Sequence, residues 1–250
     1  MSHHIIDIVG LTYVYPDGTA ALQDISFRVA HGESVAIVGA NGAGKSTLLL
    51  HLNGCLKPSG GTIRIGDLVV TRTTLPAVRQ TVGMVFQDPN DQLFMPTVYD
   101  DVAFGPLNMG LGPEEVDVLV EKALCTVGAR HLKNRPPYKL SGGEKRSVAI
   151  ATVLSMSPAI LVMDEPTSNL DPKARHQLID LLKSFDHTKI IATHDLDMVL
   201  DLCERTIVIH DGRITADGAT ADVFHDDGLL AGSHLEKPLR MQGCPVCTPR

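Results

Sequence analysis

Residues 39–47 read G-A-N-G-A-G-K-S-T, a glycine-rich loop that ends in a lysine and two hydroxyls. The glycines let backbone N–H groups curl round an anion without Cβ clashes. The apolar run 35–38 precedes the loop at strand length, and Leu48-Leu49-Leu50 follows as the start of a buried helix. That helix points its positive end at the same anion. Lys45 adds a point charge for the outer phosphates of a nucleotide, and the Ser46 hydroxyl suits Mg²⁺. Strand, loop and helix in this order make a phosphate-binding P-loop.

Two further stretches carry chemistry. The apolar run 159–163 ends in Asp164 and Glu165, at the carboxyl end of a strand, where ligands bind in open α/β sheets. One carboxylate there is the Mg²⁺ partner that a P-loop needs, and the second can orient or deprotonate a water. Residues 140–146, L-S-G-G-E-K-R, form a second glycine-rich helix start. Ser141 with Glu144 three residues on is a capping box, and the two glycines leave N–H groups open to another anion. Two anion sites in one chain make sense if two subunits face head to tail and each supplies one end of a nucleotide site.

The elements that position these residues can be read from the patterning. Loosely alternating residues 5–14 and 22–29 predict strands, and Gly66-Asp67 and Asp211-Gly212 predict hairpin turns. Residues 81–86 predict a strand that ends at Gln87. From 88 to about 155 no clear strand is visible. A helix opens there at Pro113, with acids in its first turn, and runs to Gly128 with Val116, Leu119, Val120, Ala123, Leu124 and Val127 on one face. This region is expected to be a helical subdomain inserted in an α/β core. Further helices are expected over 172–185 and 195–203, with a strand over 189–192 between them. Residues 1–225 are expected to form the functional domain and 226–250 a polar tail. Cys244 and Cys247 in that tail form a C-x-x-C pair, only two of the four ligands of a closed Zn²⁺ site; two tails together could complete one, but a solvated tail with no metal role is the reading a lone pair favours.

Composition limits the alternatives. The chain has 250 residues, 44% of them hydrophobic and only 4% aromatic, which suits an aliphatic parallel-sheet core. A net charge of −7 argues against a nucleic-acid surface. No apolar run approaches the roughly 20 residues of a membrane span, and no basic region followed by an apolar stretch opens the chain as a signal peptide. Five scattered cysteines suggest a reducing, cytoplasmic compartment.

Together these runs resemble the nucleotide-binding subunit of an ABC transporter. The resemblance rests on Walker A at 39–47, a signature at 140–146 and Walker B at 160–165, with Gln87 at a strand end, a D-loop at 168–171 and His194 as switch histidine, and it spans roughly residues 5–225. It implies a P-loop NTPase (RecA-like) core with an N-terminal antiparallel β subdomain and an inserted α-helical subdomain. Its cofactors are ATP and Mg²⁺. Tyr15 resembles the aromatic that stacks on adenine. Gly39, Asn41, Gly42, Gly44, Lys45, Ser46 and Thr47 are implied to hold the phosphates, and Ser46, Gln87 and Asp164 the Mg²⁺. Glu165 resembles the general base, and His194 the group that holds the γ-phosphate. Gln87 also touches the attacking water and reports contact with the membrane subunit. Ser141, Gly142 and Gly143 are implied to cap ATP bound to the opposite subunit, with Asn169 and Asp171 at the dimer seam.

Residues 87–94, 15–18 and 102–106 resemble more narrowly the energy-coupling-factor (ECF) importers, and the short chain is most similar to their cobalt/nickel ATP-binding subunits. That resemblance implies a homodimer or paired ATPase subunit on the cytoplasmic face of the membrane. Its partners are a transmembrane coupling protein and a substrate-binding membrane component. In such complexes an arginine of the transmembrane protein enters a groove beside the Gln loop, so a carboxylate is expected there among Asp88, Asp91, Asp100 and Asp101, with Asp91 the first choice. The alternatives are the ATPase of another ABC importer, for a vitamin or other small solute, or a soluble non-transport ABC ATPase. Soluble relatives typically carry coiled-coil insertions or two ATPase cores, and this sequence has neither. A nucleotide kinase shares the P-loop but not the signature.

Overall fold

The computed structural model describes residues 4–242. These divide into two compact units, one made of the described residues up to 70 and from 190 on, the other of residues 71–189.

The first unit opens with β1 (His4–Val14) and β2 (Ala20–Ala30), an antiparallel pair in which Ile8 faces Phe27. Along β2 the apolar Leu22, Ile25, Phe27 and Val29 are buried, as expected of a half-solvated sheet. β3 (Ser34–Val38) leads into the glycine loop and α1 (Lys45–Leu52). β4 (Gly60–Ile65) and β5 (Leu68–Val69) form the hairpin expected over Gly66-Asp67 and complete an antiparallel sheet in the order β2-β1-β4-β5.

The second unit begins with α2 (Leu75–Thr81) and β6 (Val82–Val85), then α3 (Val98–Asn108), α4 (Pro113–Thr126) and α5 (Gly142–Leu154). β7 (Ile160–Asp164) runs parallel to β6, with Met84 opposite Val162, and both strands are fully buried. α6 (Pro172–Lys183) follows. The three helices α3 to α5 share a core of Val98, Val102, Val116, Val120, Leu124 and Val148. α4 carries the apolar face read from the sequence, but Leu119 stands at its half-exposed margin.

α3 is individually invisible in the sequence because Gly105 and Pro106 lie inside it. Proline at 106 removes the N–H that would bond the Val102 carbonyl. Ser155 Oγ donates to that carbonyl instead, at 2.9 Å. Gly105 gives the room for this packing, since a Cβ there would stand 2.6 Å from Met156 Cγ.

β8 (Thr188–Ala192) carries the chain back to the first unit, followed by α7 (Leu196–Leu202), β9 (Arg205–His210) and β10 (Arg213–Ala219). β9 lies parallel to β3 and antiparallel to β10. Beyond Phe224 the sequence suggests a tail, yet residues up to 242 have defined structure. α8 (Thr220–His225) is followed by α9 (Asp227–Gly232), which buries Leu230. Arg240 then pairs with Asp201 and Asp197 of α7. Polarity hid this segment, because widely spaced apolar residues and ion pairs hold it. Cys244 and Cys247 lie outside the described residues.

Candidate functional site

In the first unit the P-loop has the geometry its sequence requires. Gly44 caps α1 with φ 107°, where a Cβ would meet the Ala21 carbonyl oxygen at 2.6 Å. No side chain caps α1 and no acid sits in its first turn, so its first N–H groups and dipole favour an anion. Asn41, Gly42 and Ser46 are exposed, and Lys45 is buried. Lys45 Nζ donates to the Gly39 and Ala40 carbonyls at 2.8 and 3.2 Å. Tyr15, half-buried beyond β1, places its hydroxyl 2.8 Å from Thr47 Oγ1. His194 is exposed one residue after Thr193, whose N–H donates to the Ile37 carbonyl at the end of β3. Tyr15, the glycine loop and His194 therefore belong to one unit.

The second unit holds the other candidates. Asp164 and Glu165 are buried at the end of β7, 5% and 6% exposed. Glu165 has φ 44°, a left-handed backbone that costs a residue with a Cβ roughly 1 kcal/mol or more and that concentrates at functional sites. Ser141 forms the expected capping box: its Oγ accepts from the Glu144 N–H, and the Glu144 carboxylate accepts from the Ser141 N–H. Those bonds from the Ser141 backbone and side chain hold the Glu144 carboxyl below its usual range. A cavity of about 490 Å³ is lined by Gln87, Asp91, Gly142, Arg146 and Asn169, which brings the Gln loop, the signature glycine and the D-loop around one space. Asp171 is exposed, and its carboxylate caps α6 by accepting from the Lys173 and Ala174 N–H groups at 2.9 Å.

The sequence reading gave no role to a set of side chains that tie the Gln loop to α5. Arg146, 3% exposed, donates to the carbonyls of Phe86 and Gln87 at 2.7 and 2.6 Å. Gln92 donates to the Ala149 carbonyl and Thr152 Oγ1, both at 2.7 Å, and accepts from the Phe86 N–H. Lys145 donates to Asn90 Oδ1. A charged residue on the helix face that continues through Ala149, Ile150 and Val153 was the available signal.

The four carboxylates beyond Gln87 separate in the structure. Asp91 is exposed, and Asp88 accepts from the Asn90 N–H and side-chain amide. Asp100 accepts from Thr97 Oγ1. Asp101 is turned inward, 3% exposed, and accepts from the Phe94 and Met95 N–H groups at 3.0 Å. It shapes the loop and does not offer a carboxylate to an incoming arginine. The same loop exposes Phe94, 64% accessible, edge-on to Phe104 at 5.1 Å between ring centroids.

Residues 22–168 match the family model described as ABC transporter. The chain belongs to the ABC transporter family. It is an ATP-binding, ATP-hydrolysing subunit of that family, with the P-loop NTPase fold. A putative ABC transporter ATP-binding protein of Geobacter sulfurreducens is 69% identical over 247 residues, 99% of each chain. The energy-coupling factor transporter ATP-binding protein EcfA of Methanocaldococcus jannaschii is 45% identical over 94% of this chain and 86% of its own. Among solved structures, cbiO1 from Clostridium perfringens, part of the ABC transporter complex cbiONQ, superposes with a TM-score of 0.80 at 41% identity, covering 92% of this chain and 94% of that one.

Proposed function

We propose that this ABC subunit drives an ECF-type importer, that it works as one of two ATPase subunits facing head to tail, and that the cargo is cobalt or nickel ions. The observation that carries the reading is the surface just past Gln87, where exposed Asp91 and Phe94 stand on a loop fastened to the signature helix, with Phe94 edge-on to Phe104 of α3. An amphipathic helix bearing an arginine suits that surface, because a guanidinium pairs bidentately with a carboxylate and apolar side chains cover the rings. The likeness to EcfA and to cbiO1 supports the same assignment. Among the described residues no helix is long and apolar enough to cross a membrane, so attachment to the cytoplasmic face runs through the transmembrane partner.

Within the site, Tyr15 stacks on adenine, while Gly39, Asn41, Gly42, Gly44, Lys45 and Thr47 hold the phosphates. Ser46, Gln87 and Asp164 all offer oxygen donors, the donor set that Mg²⁺ prefers, and would hold that ion together with phosphate oxygens and water. Bound Mg²⁺ neutralises phosphate charge. Glu165 takes the proton of the attacking water as its oxygen bonds to the γ-phosphorus and the bond to the β–γ bridging oxygen breaks, with His194 fixing the γ-phosphate. Ser141, Gly142 and Gly143 of the opposite subunit close over that phosphate, and Asn169 and Asp171 line the seam.

A tagged chain extracted from membranes should bring down a transmembrane protein. Cells carrying Glu165→Gln should lose uptake of radioactive cobalt or nickel. A chain that fractionates alone argues against the importer assignment, and metal uptake that persists in that variant removes the cargo assignment.

A further inference from the structure

His51 is fully buried, yet one of its ring nitrogens has no partner. Its Nδ1 stands 2.7 Å from the Thr47 carbonyl oxygen. A carbonyl only accepts, so Nδ1 carries the hydrogen and Nε2 is left as a lone pair with no donor. Such a group costs stability, and an aliphatic residue at the same place in α1 would not. Burial also holds the imidazole pKa below its usual value, so the ring is neutral at physiological pH.

Its neighbours indicate a use. Thr47 and His51 lie one helical turn apart on the same face of α1, and Tyr13 and Tyr15 lie two residues apart along the chain leaving β1. The two pairs meet. Tyr15 hydroxyl and Thr47 Oγ1 are 2.8 Å apart, and the Tyr13 ring packs edge-on against His51 at 4.7 Å and against Tyr15 at 4.9 Å. The result is a closed circuit of four residues, Tyr15–Thr47–His51–Tyr13, in which the Thr47 hydroxyl meets Tyr15 and the Thr47 backbone carbonyl meets His51. The phosphate loop has separate anchors: Lys45 on Gly39 and Ala40, the Gly212 N–H on the Ala43 carbonyl, and the Thr193 N–H on the Ile37 carbonyl. None of those passes through His51 or Tyr13. The Tyr15 side chain, by contrast, touches Thr47 through its hydroxyl and Tyr13 through its ring.

We propose that Tyr13 and His51 are positioning residues that fix the Tyr15 ring for the nucleobase, so that base recognition depends on them and phosphate binding does not. The inference rests on the reading of Tyr15 as the base-stacking residue. It makes the ring's orientation a property of the P-loop helix itself, set before a nucleotide arrives.

The test compares ATP with inorganic tripolyphosphate, which offers the phosphates without a base, on the purified full chain. His51→Ala and Tyr13→Ala should each raise the KM for ATP about 2- to 13-fold, the range of an aromatic pair's contribution. Their kcat should stay within about twofold, and the inhibition constant of tripolyphosphate should not change. Tyr13→Phe keeps the ring and should behave as the parent. If His51→Ala does not fold, the half-exposed Tyr13 carries the same comparison through its Ala and Phe variants. A tripolyphosphate constant that worsens in step with KM overturns the inference, because the pair then merely supports the loop. An unchanged KM for ATP overturns it as well. Tyr15→Ala is run alongside: if that variant leaves KM unmoved, the base-stacking reading itself fails, which is a different result from failure of the Tyr13 and His51 variants alone.

Discussion

Arg146, in the first turns of the signature helix, donates to the backbone carbonyl of Gln87 at 2.6 Å, with a parallel bond to Phe86 at 2.7 Å. A planar guanidinium can serve two consecutive carbonyls at once, and a lysine ammonium cannot match that fork. The residue that would sense the membrane partner and the helix that would close over the opposing nucleotide are thus held as one piece. Arg146→Lys should lower kcat about tenfold, the worth of a hydrogen bond to a charged group, while the Kd for ATP stays within about twofold. A steady-state ATPase assay beside calorimetric nucleotide binding decides it; equal losses in both would mean the second unit has simply been destabilised.

Lys45 is buried and its ammonium already sits among the loop carbonyls of Gly39 and Ala40. Lys45→Ala removes the nearest cation from the outer phosphates, and charge-assisted bonds of this kind set a loss of about 100-fold in ATP affinity. Calorimetric titration with ATP measures the loss. Wild-type affinity in this variant would remove the P-loop assignment.

Local patterning made much of this molecule legible. The P-loop, the α4 face and the Ser141–Glu144 box each depend on residues within a few positions of one another, so spacing alone reveals them. What sequence could not show was set by packing at a distance. α3 tolerates Pro106 because Ser155, far along the chain, bonds the carbonyl left over. Asp101 looks like any loop acid until its two backbone donors are seen. Arg146 and Gln92 act across more than fifty positions of sequence, on backbone carbonyls that have no residue type to read. The same holds for His51, which in sequence is only a histidine after the apolar run 48–50.

Glu165 stands in a left-handed backbone conformation at the end of a fully buried strand, a place where few residues would be chosen for stability. Glu165→Gln keeps its shape and removes the proposed base. Turnover should fall about 10²- to 10⁴-fold while ATP binding survives. Gel filtration with ATP should then show a closed dimer that the parent chain does not accumulate. Normal turnover in the variant would place the base elsewhere.

Burial raises the Asp101 pKa, with a smaller push from the neighbouring Asp100, against two backbone hydrogen bonds that lower it. Because the folded value lies above the unfolded one, the folded chain binds more protons between the two. Stability from this group is therefore present below the ordinary aspartate range and is lost as pH rises through the raised value. Asp101→Asn keeps an acceptor for Phe94 and Met95 and carries no charge. Subtracting its pH profile of thermal unfolding from that of the parent should leave a parent curve that falls with rising pH in the acid range. A difference profile that is flat, or that rises, would contradict the assignment.

Asp91 and Phe94 sit within one exposed turn, and the inward carboxylate of Asp101 holds the Phe94 N–H that shapes it. If this turn receives the transmembrane partner, charge and apolar surface should contribute separately. Asp91→Arg sets like charges against an incoming arginine and should slow association, an effect that grows at low salt because exposed charges are screened at high salt. Phe94→Ala removes apolar contact without changing charge, so it should weaken assembly about equally at all salt concentrations, by roughly 10-fold for a buried aromatic anchor. Both variants should bind ATP as the parent does, because neither touches the P-loop. Pull-down of the transmembrane protein over a salt series, run beside ATP titration, separates the two effects. Assembly that is insensitive to both substitutions would move the docking surface away from the Gln loop, and loss of ATP binding would instead tie the turn to the nucleotide site.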